Sequence, residues 1–187
     1  LGVFFVLFYT WPLKYIGLGE LAVIIVWGPL MIGGGYYVIT NEWNWNVVMA
    51  GMPYALGATS IIFGKHIDKA AGDRAKKIFT LPVILGERLA RYTAMAMMIA
   101  QYIAIVYLIV IGFFTPLLLI VFLALPQLKL VYDAYKNPKP TEAPATLPAG
   151  IWPLWFVAFA FGHNRRFGLL FLLGLIGDLI IRAFIAR

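Results

Sequence analysis

Cysteine is absent from this chain of 187 residues, and charged residues are scarce. The lack of cysteine excludes disulfides, thiolate metal sites and a cysteine nucleophile, although it does not identify a compartment. Charged residues make up 12% of the chain and hydrophobic residues 63%, whereas soluble domains average about 25% and about 45–50%. This shortage of charge, with a mean hydropathy of +0.88, predicts a membrane protein.

The apolar stretches predict an all-α fold, a polytopic transmembrane helical bundle. A helix needs about 20 apolar residues to cross a bilayer, whereas a β-barrel would show short alternating segments. Five full spans are predicted at residues 21–40, 47–64, 92–114, 115–132 and 167–185. Residues 152–161 make only half a span, so we expect a re-entrant or interfacial segment there, separated from the last span by the polar residues 163–166.

The net charge of +7 predicts an orientation, because Lys and Arg accumulate in cytoplasmic loops. A dense group of basic residues comprises Lys65, Lys69, Arg74, Lys76, Lys77, Arg88 and Arg91. We therefore expect a multi-pass protein of the cell membrane with residues 65–91 in the cytoplasm, on the same face as the Lys14 loop and residues 129–166. No nucleic-acid partner is expected, because the basic residues flank spans instead of forming a soluble face.

Residues 65–87 combine carboxylates and cations beside apolar spans. The oxygens of Asp68 and Asp73 suit Mg²⁺, which prefers oxygen ligands and often bridges to phosphate. Nearby cations could neutralise a diphosphate leaving group; they are Lys65, Lys69, Arg74, Lys76 and Lys77. Aromatic rings near the same charged segment could stabilise a cationic intermediate; they are Tyr9, Trp11, Tyr15 and Tyr54. This mixture favours a substrate with a charged head and an apolar tail.

Structural interpretations of these residues stay open at this stage. The same charges are typical of an ordinary cytoplasmic loop. His66 could bind substrate or a metal, although a lone histidine at a helix end is more often structural. Lys14 is either a substrate contact or an interfacial anchor. For Glu20 we favour a hydrogen bond within its own loop over a role as a base.

Two polar pairs near the C-terminus also have structural interpretations. Arg165 and Arg166 are typical of anchors to anionic lipid. Asp178 and Arg182 are ionisable residues inside a span, which invites a functional interpretation. Their i,i+4 spacing equally describes a pair that satisfies itself.

Two runs of residues resemble a known family. Residues 73–86 contain D-R, five further residues, and then T-L-P-V-x-L-G, which resembles the second aspartate-rich motif of the UbiA-type membrane prenyltransferases. Residues 9–20 read Y-T-x-P-L-K-Y-x-G-L-G-E, followed by Gly28-Pro29 and Tyr36-Tyr37. This second run resembles the menaquinone-pathway branch, which includes the 1,4-dihydroxy-2-naphthoate polyprenyltransferases.

The resemblance implies a helical bundle around a cavity that opens to lipid, and Mg²⁺-dependent transfer of a polyprenyl group from its diphosphate to an aromatic acceptor. The implied catalytic residues are Asp68, Asp73 and Lys14, with both aspartates as metal ligands. The implied diphosphate contacts are Lys65, Lys69, Arg74 and Lys77. The implied lining of the acceptor and prenyl cavity is Tyr9, Trp11, Tyr15, Tyr54 and His66.

Two features depart from the family pattern. The earlier N-D-x-x-D motif is not matched, and we expect it upstream of Leu1, so that residues 1–187 form one transmembrane domain, the C-terminal half to two-thirds of the bundle. The family spaces the aspartates of its second motif at i and i+4, but here Lys69 takes that position and Asp68 precedes Asp73 by five. Residues i and i+5 differ by about 140° around a helix, so Asp68 and Asp73 share a face only if the helix bulges or breaks, which Gly72 would permit.

Two functions remain open. The first is a polyprenyltransferase of quinone synthesis. The second is a catalytically degenerate homologue that serves as a structural or quinone- or pigment-associated subunit of a larger membrane complex. A transporter is disfavoured, because Asp178 and Arg182 are the main charges inside a span and no inverted repeat is visible.

Overall fold

The computed structural model describes residues 1–145 and 150–185, and the ordered elements in these ranges are helices. The α-helices are α1 (Gly2–Phe8), α2 (Gly19–Ile25), α3 (Gly34–Thr40), α4 (Trp45–Ala75), α5 (Leu81–Leu85), α6 (Glu87–Val110), α7 (Leu125–Tyr135) and α8 (Phe156–Ile185). A 3₁₀ turn covers Leu13–Ile16, a π-helical segment, Val26–Gly33, joins α2 to α3, and a 3₁₀ segment, Pro116–Ala124, leads into α7. The predicted all-α fold is confirmed.

The predicted number of spans is also confirmed. Within the described ranges, five helical stretches are long and apolar enough to cross a membrane: Gly19–Thr40, Trp45–Ala75, Glu87–Val110, Pro116–Tyr135 and Phe156–Phe184. The chain is therefore a multi-pass membrane protein.

Helix α4 is longer than the sequence pattern predicts. Its start is fixed by Asn44, whose side-chain oxygen accepts hydrogen bonds from the backbone N–H groups of Asn46 (2.8 Å) and Val47 (3.3 Å), which are unpaired at a helix start. The apolar pattern ends at Gly64, but the helix continues to Ala75. Most of the predicted charged segment is thus helical, and the charged side chains of residues 65–74 are distributed around α4.

The last span differs from the expectation. The predicted half-span, the polar interruption and the final span form one helix, α8, so residues 163–166 are not a cytoplasmic loop. The polar interruption is accommodated by packing, because His163 is fully buried and its Nε2 atom lies 3.0 Å from the Tyr102 hydroxyl. A polar group that finds a partner inside a bundle does not end a helix.

Helices α4 and α8 approach each other closely and run antiparallel. A Cβ atom placed on Gly64 would lie 2.9 Å from the backbone nitrogen of Val157, and one placed on Gly57 would collide with the side chain of Asn164. Small residues of this kind allow helix backbones to pack tightly in a membrane. The charged end of α4 therefore lies beside the beginning of α8.

Candidate functional site

The charged end of α4 forms a cationic surface. The side chains of Lys65, Lys69 and Arg74 are exposed, and Lys77 is exposed just beyond the helix. Lys77 adopts a positive φ of 57°, which turns the chain back toward α5. The guanidinium of Arg74 donates a hydrogen bond of 3.2 Å to the carbonyl of Val83, so this cation is also tied to the segment that follows.

A buried hydrogen-bonded pair, Glu20 and His66, connects α2, α4 and α5. The Nδ1 atom of His66 lies 2.6 Å from Oε1 of Glu20, and the two side chains are 5% and 1% exposed. The other carboxylate oxygen of Glu20 accepts a hydrogen bond of 3.3 Å from the backbone N–H of Leu81. Glu20 therefore contacts a residue 46 positions away instead of bonding within its own loop, and it holds the T-L-P segment against α4.

The Lys14 loop packs against the same segment. The backbone N–H of Phe79 donates a hydrogen bond of 3.3 Å to the carbonyl of Tyr15. Gly17 has a φ of +76°, and a Cβ atom there would lie 3.6 Å from the Cα of Leu81. The structure thus brings Lys14 and Tyr15 to the cationic end of α4.

The predicted aromatic residues do not all lie together. Tyr9 is half-buried, and its burial raises the pKa of its phenol, to which the nearby Glu20 carboxylate adds. Trp11 is 67% exposed. Tyr54 lies on α4 eleven residues before Lys65, which is about 16 Å along the helix, and its ring contacts Trp27 at 5.4 Å between centroids. Tyr9, Tyr15 and His66 therefore lie near the cationic end of α4, whereas Tyr54 lies farther along the helix, beside Trp27.

An apolar cavity of about 700 Å³ begins beside Tyr9. It is a partly open cavity between α1, α2, the π-helical segment and α4, and its lining includes Phe5, Tyr9, Val23, Trp27 and Leu30. The cavity lies next to the Glu20–His66 pair, so an apolar space adjoins the cationic end of the bundle.

Asp68 caps the beginning of α8. Its carboxylate oxygens accept hydrogen bonds from the backbone N–H groups of Phe156 (3.2 Å) and Val157 (3.0 Å). The Lys139 ammonium lies 3.5 Å from the same carboxylate, whose side chain is only 1% exposed. Unpaired N–H groups at a helix start favour a nearby negative charge, so Asp68 stabilises this end of α8. Both of its carboxylate oxygens are engaged by these contacts.

The two aspartates are separated around α4. Because the helix is continuous through Gly72, Asp68 and Asp73 point about 140° apart. Among the described residues, no group of three or more His, Asp or Glu side chains could hold a metal ion together. The pair thus does not fit one shared Mg²⁺ ion in this structure, while Asp73, half-buried and outside the described ion pairs, is free to contact one. The assignment of both residues as ligands stays a prediction.

Several buried polar contacts were not predicted from the sequence. Arg91, expected in a loop, is buried in α6 and donates a 2.8 Å hydrogen bond to the carbonyl of Tyr135. The Tyr135 hydroxyl donates to the carbonyl of Phe156. Gln101 donates to the carbonyl of Pro53 at 2.7 Å. Polar residues within apolar spans are the signal for such contacts, but the partner cannot be read from the spacing.

The pair Asp178–Arg182 has local partners. One carboxylate oxygen of Asp178 accepts a 2.6 Å hydrogen bond from the backbone N–H of Thr115, and the other lies 2.8 Å from Arg182 Nε. Arg182 also donates to the carbonyl of Phe113 at 2.7 Å. These bonds join α8 to the turn before the 3₁₀ segment, which favours the structural interpretation.

The sequence of this chain is similar to those of known proteins. The family model described as "UbiA prenyltransferase family" matches residues 1–152. The chain is 30% identical over 86 residues to the "UbiA prenyltransferase domain-containing protein 1 homolog" of Drosophila melanogaster, covering 46% of this chain and 24% of the relative.

Two relatives carry names from naphthoquinone chemistry. The chain is 29% identical over 107 residues to the 2-carboxy-1,4-naphthoquinone phytyltransferase of Synechocystis sp. (strain ATCC 27184 / PCC 6803 / Kazusa), covering 54% of this chain and 35% of the relative. It is 26% identical over 116 residues to the 1,4-dihydroxy-2-naphthoate octaprenyltransferase of Bacillus subtilis (strain 168), covering 62% of this chain and 37% of the relative.

The matches therefore span between 24% and 37% of the length of these relatives. No solved structure matches the chain significantly. The resemblance predicted from residues 9–20 and 73–86 is confirmed, since both runs lie inside the family match. The chain belongs to the UbiA prenyltransferase family.

Proposed function

We propose that the complete protein transfers a polyprenyl group from polyprenyl diphosphate to an aromatic acceptor in quinone synthesis of the menaquinone type. Family membership supports this proposal, and so do two relatives named as a phytyltransferase and an octaprenyltransferase of naphthoquinone or naphthoate substrates. The proposed setting is the cell membrane, with the reaction at its cytoplasmic face and the bilayer as the source of the apolar substrate.

The observation that carries the proposal is the packing of the T-L-P segment and the Lys14 loop onto the cationic end of α4. The Glu20–His66 pair and its bond to Leu81 hold these parts together. Lys14, Lys65, Lys69, Arg74 and Lys77 are then available at one end of the bundle. Cations fixed in this way stabilise the charge that develops on a departing diphosphate.

Binding of the prenyl chain and attack by the acceptor are assigned to groups beside the cationic end of α4. The cavity beside Tyr9 would hold the apolar prenyl chain, and the π faces of Tyr9 and Tyr15 would stabilise the positive charge left on the allylic carbon. The carbon–oxygen bond to diphosphate would break first, and the electron-rich ring of the acceptor would then attack the allylic carbon and form the new carbon–carbon bond. The attacked ring carbon would restore aromaticity by releasing a proton or, if it is carboxylated, carbon dioxide.

We include Mg²⁺ in the proposal, with Asp73 as the side chain described here that would hold it. Bound Mg²⁺ would neutralise phosphate oxygens, the role it commonly has beside carboxylates and substrate phosphates. In the structure Asp68 acts as a cap for α8.

An assay of the complete protein tests the proposal. The purified protein in lipid nanodiscs, given radiolabelled polyprenyl diphosphate, Mg²⁺ and 1,4-dihydroxy-2-naphthoate, should form a prenylated product. Asp73→Asn should lower the rate about a hundredfold or more, the scale of losing one electrostatic group at a reacting centre. Absence of product across a panel of aromatic acceptors would rule out the transferase function.

The capping role of Asp68 favours a second candidate, the degenerate homologue that serves as a subunit of a larger membrane complex. In that case the protein would copurify with other membrane proteins at a fixed stoichiometry. Asp73→Ala in cells would then leave the amount of prenylated quinone unchanged, whereas the transferase proposal requires that amount to fall.

A further inference from the structure

Arg165 and Arg166 lie near the middle of the membrane-spanning part of the bundle. A Cβ atom placed on Gly57 would collide with the side chain of Asn164, and Gly57 is close to the centre of the apolar residues 47–64. The hydrogen bond between the inner part of α6 and α8 gives a similar depth. Both arginines are therefore at the level of the hydrocarbon core, a depth that does not fit the anchoring to lipid headgroups considered from the sequence.

The two arginines line a groove between α7 and α8 that the proposed reaction does not use. Its cavity volume is about 440 Å³, and its lining residues are Gln127 of α7 with Gly162, Arg165, Arg166, Leu169 and Leu170 of α8. A Cβ atom placed on Gly162 would lie 3.9 Å from Oε1 of Gln127. Glycine at this position therefore leaves open space beside the amide of Gln127.

Neither arginine has an acidic partner within residues 1–145 and 150–185. Both side chains are exposed. Ionisable residues inside a membrane almost always pair with an opposite charge or a backbone carbonyl, or face water. Two adjacent cations on the apolar surface of α8 therefore call for an anion at the same depth.

The depth of the arginines selects the kind of anion. A phospholipid keeps its phosphate in the headgroup region, outside the hydrocarbon core, and a free inorganic anion is too costly to transfer into that core. A carboxylate side chain on a transmembrane helix is different, because the helix that carries it holds it at a fixed depth. Arginine also binds carboxylates through two parallel hydrogen bonds.

An exposed apolar stripe continues from the arginines along α8. Leu169 is 57% exposed, Leu172 54% and Ile176 49%, and their spacing places them on the same face as Arg165. Gly162 lies about one turn before the arginines, and small residues let helices approach closely in a membrane. A helix that packs along this stripe would bring a carboxylate at mid-depth against the two guanidinium groups.

A second copy of this chain does not supply that carboxylate. Asp178 is the acidic residue on α8, and it is already engaged by the backbone N–H of Thr115 and by Arg182. It also lies 12 residues beyond Arg166, which is about 18 Å along the helix. The other acidic residues of the chain lie near helix ends or between helices, so the charge has to come from a different polypeptide.

We propose that the groove between α7 and α8 binds a transmembrane helix of another membrane protein, one that carries an aspartate or glutamate at mid-depth. The guanidinium groups of Arg165 and Arg166 donate to the carboxylate, and the amide of Gln127 donates from the opposite wall. The rest of the partner helix packs along the exposed stripe of α8. The proposal goes beyond the transferase function and does not depend on it, because a transferase and a structural subunit can each bind such a partner.

Association of model helices with the complete protein in lipid vesicles tests the proposal. The probes are three transmembrane peptides of leucine and alanine that differ at one central residue, which is glutamate, glutamine or lysine. Energy transfer between a donor dye on the protein and an acceptor dye on the peptide measures binding. We expect the glutamate peptide to bind about tenfold more tightly than the glutamine peptide, since charge-assisted hydrogen bonds are the stronger ones, and the lysine peptide to bind most weakly.

Matched variants separate the groove from net charge and from misfolding. Arg165→Gln with Arg166→Gln should remove the preference for the glutamate peptide while leaving the melting temperature nearly unchanged, because both side chains are exposed. Arg165→Lys with Arg166→Lys keeps the charge and should retain part of the preference. Lys76→Gln with Arg88→Gln removes two cations elsewhere and should retain all of it.

Three results would overturn the proposal. The first is equal binding of the glutamate and glutamine peptides to the unmodified protein. The second is an unchanged preference for glutamate in the double glutamine variant. The third is no binding of any peptide, which would mean that the groove is closed in the complete protein, for instance by its own helices. None of these results bears on prenyl transfer, so failure of this proposal is distinguishable from failure of the transferase function.

Discussion

At the scale of single residues, buried polar side chains are engaged in structural contacts at this end of the bundle. Glu20 and His66 are nearly inaccessible, and removing one member of the pair leaves the other buried without its hydrogen-bond partner. Asp68 offsets the unpaired N–H groups of α8 in a similar way. These three residues therefore determine where the exposed cations lie, without themselves being exposed.

Glu20→Ala should destabilise the folded protein by about 1–3 kcal/mol, because the buried His66 ring and the backbone N–H of Leu81 would lose their hydrogen-bond partner. Thermal unfolding of the complete protein in detergent measures this. Glu42→Ala is the control, because Glu42 is exposed in the turn before α4 and its loss should be nearly neutral. Equal melting temperatures for the two variants would contradict a structural role for the Glu20–His66 pair.

Asp68 and Asp73 should respond differently to substitution. Asp68→Ala should lower stability by about 1–2 kcal/mol, the range for a lost helix cap. Asp73→Asn should leave unfolding nearly unchanged, since Asp73 makes none of the described ion pairs, and should instead weaken Mg²⁺-dependent turnover. Thermal unfolding and a Mg²⁺ titration of activity, run on both variants, separate the roles. A stable Asp68→Ala protein with weakened Mg²⁺ dependence would restore Asp68 as a metal ligand.

At the scale of helices, α4 determines the arrangement of the site. It extends beyond its apolar portion, contacts the T-L-P segment through His66 and Glu20, and approaches α8 at Gly57 and Gly64. The apolar pattern predicted the portion inside the membrane well, because hydrophobicity reports burial in lipid. It could not predict that the helix continues through Lys65–Arg74, since solvated helix and loop have similar composition.

The glycines of α4 provide a matched test of its packing. Gly64→Ala should destabilise the protein by about 1–3 kcal/mol, because its Cβ atom would meet the backbone of Val157 at 2.9 Å and overpack the contact. Gly72→Ala meets no atom within 4 Å and should stabilise α4 by about 0.5–1 kcal/mol. The two melting temperatures should shift in opposite directions. A shift in the same direction would contradict the close approach of α4 and α8.

At the scale of the whole molecule, the five spans could be predicted from composition, but the connections between them could not. The pairs Glu20–His66 and Tyr102–His163 each join residues far apart in the chain, and no local pattern identifies such partners. The same limitation explains the last span, where the burial of His163 keeps α8 continuous. Motif resemblance predicted the family and the T-L-P segment, while the geometry added that Asp68 and Asp73 lie on different faces of α4.

The central claim is that the cationic end of α4 binds the diphosphate of a prenyl substrate. The most direct measurement is kcat/KM for polyprenyl diphosphate in the complete protein carrying Lys65→Gln with Lys69→Gln. Both side chains are exposed, so the protein should fold normally, and the loss of two charge-assisted contacts should lower kcat/KM by about tenfold or more. The control variant Arg88→Gln with Lys129→Gln should keep normal kinetics. Unchanged kcat/KM in the first variant, or an equal loss in both, would contradict the claim.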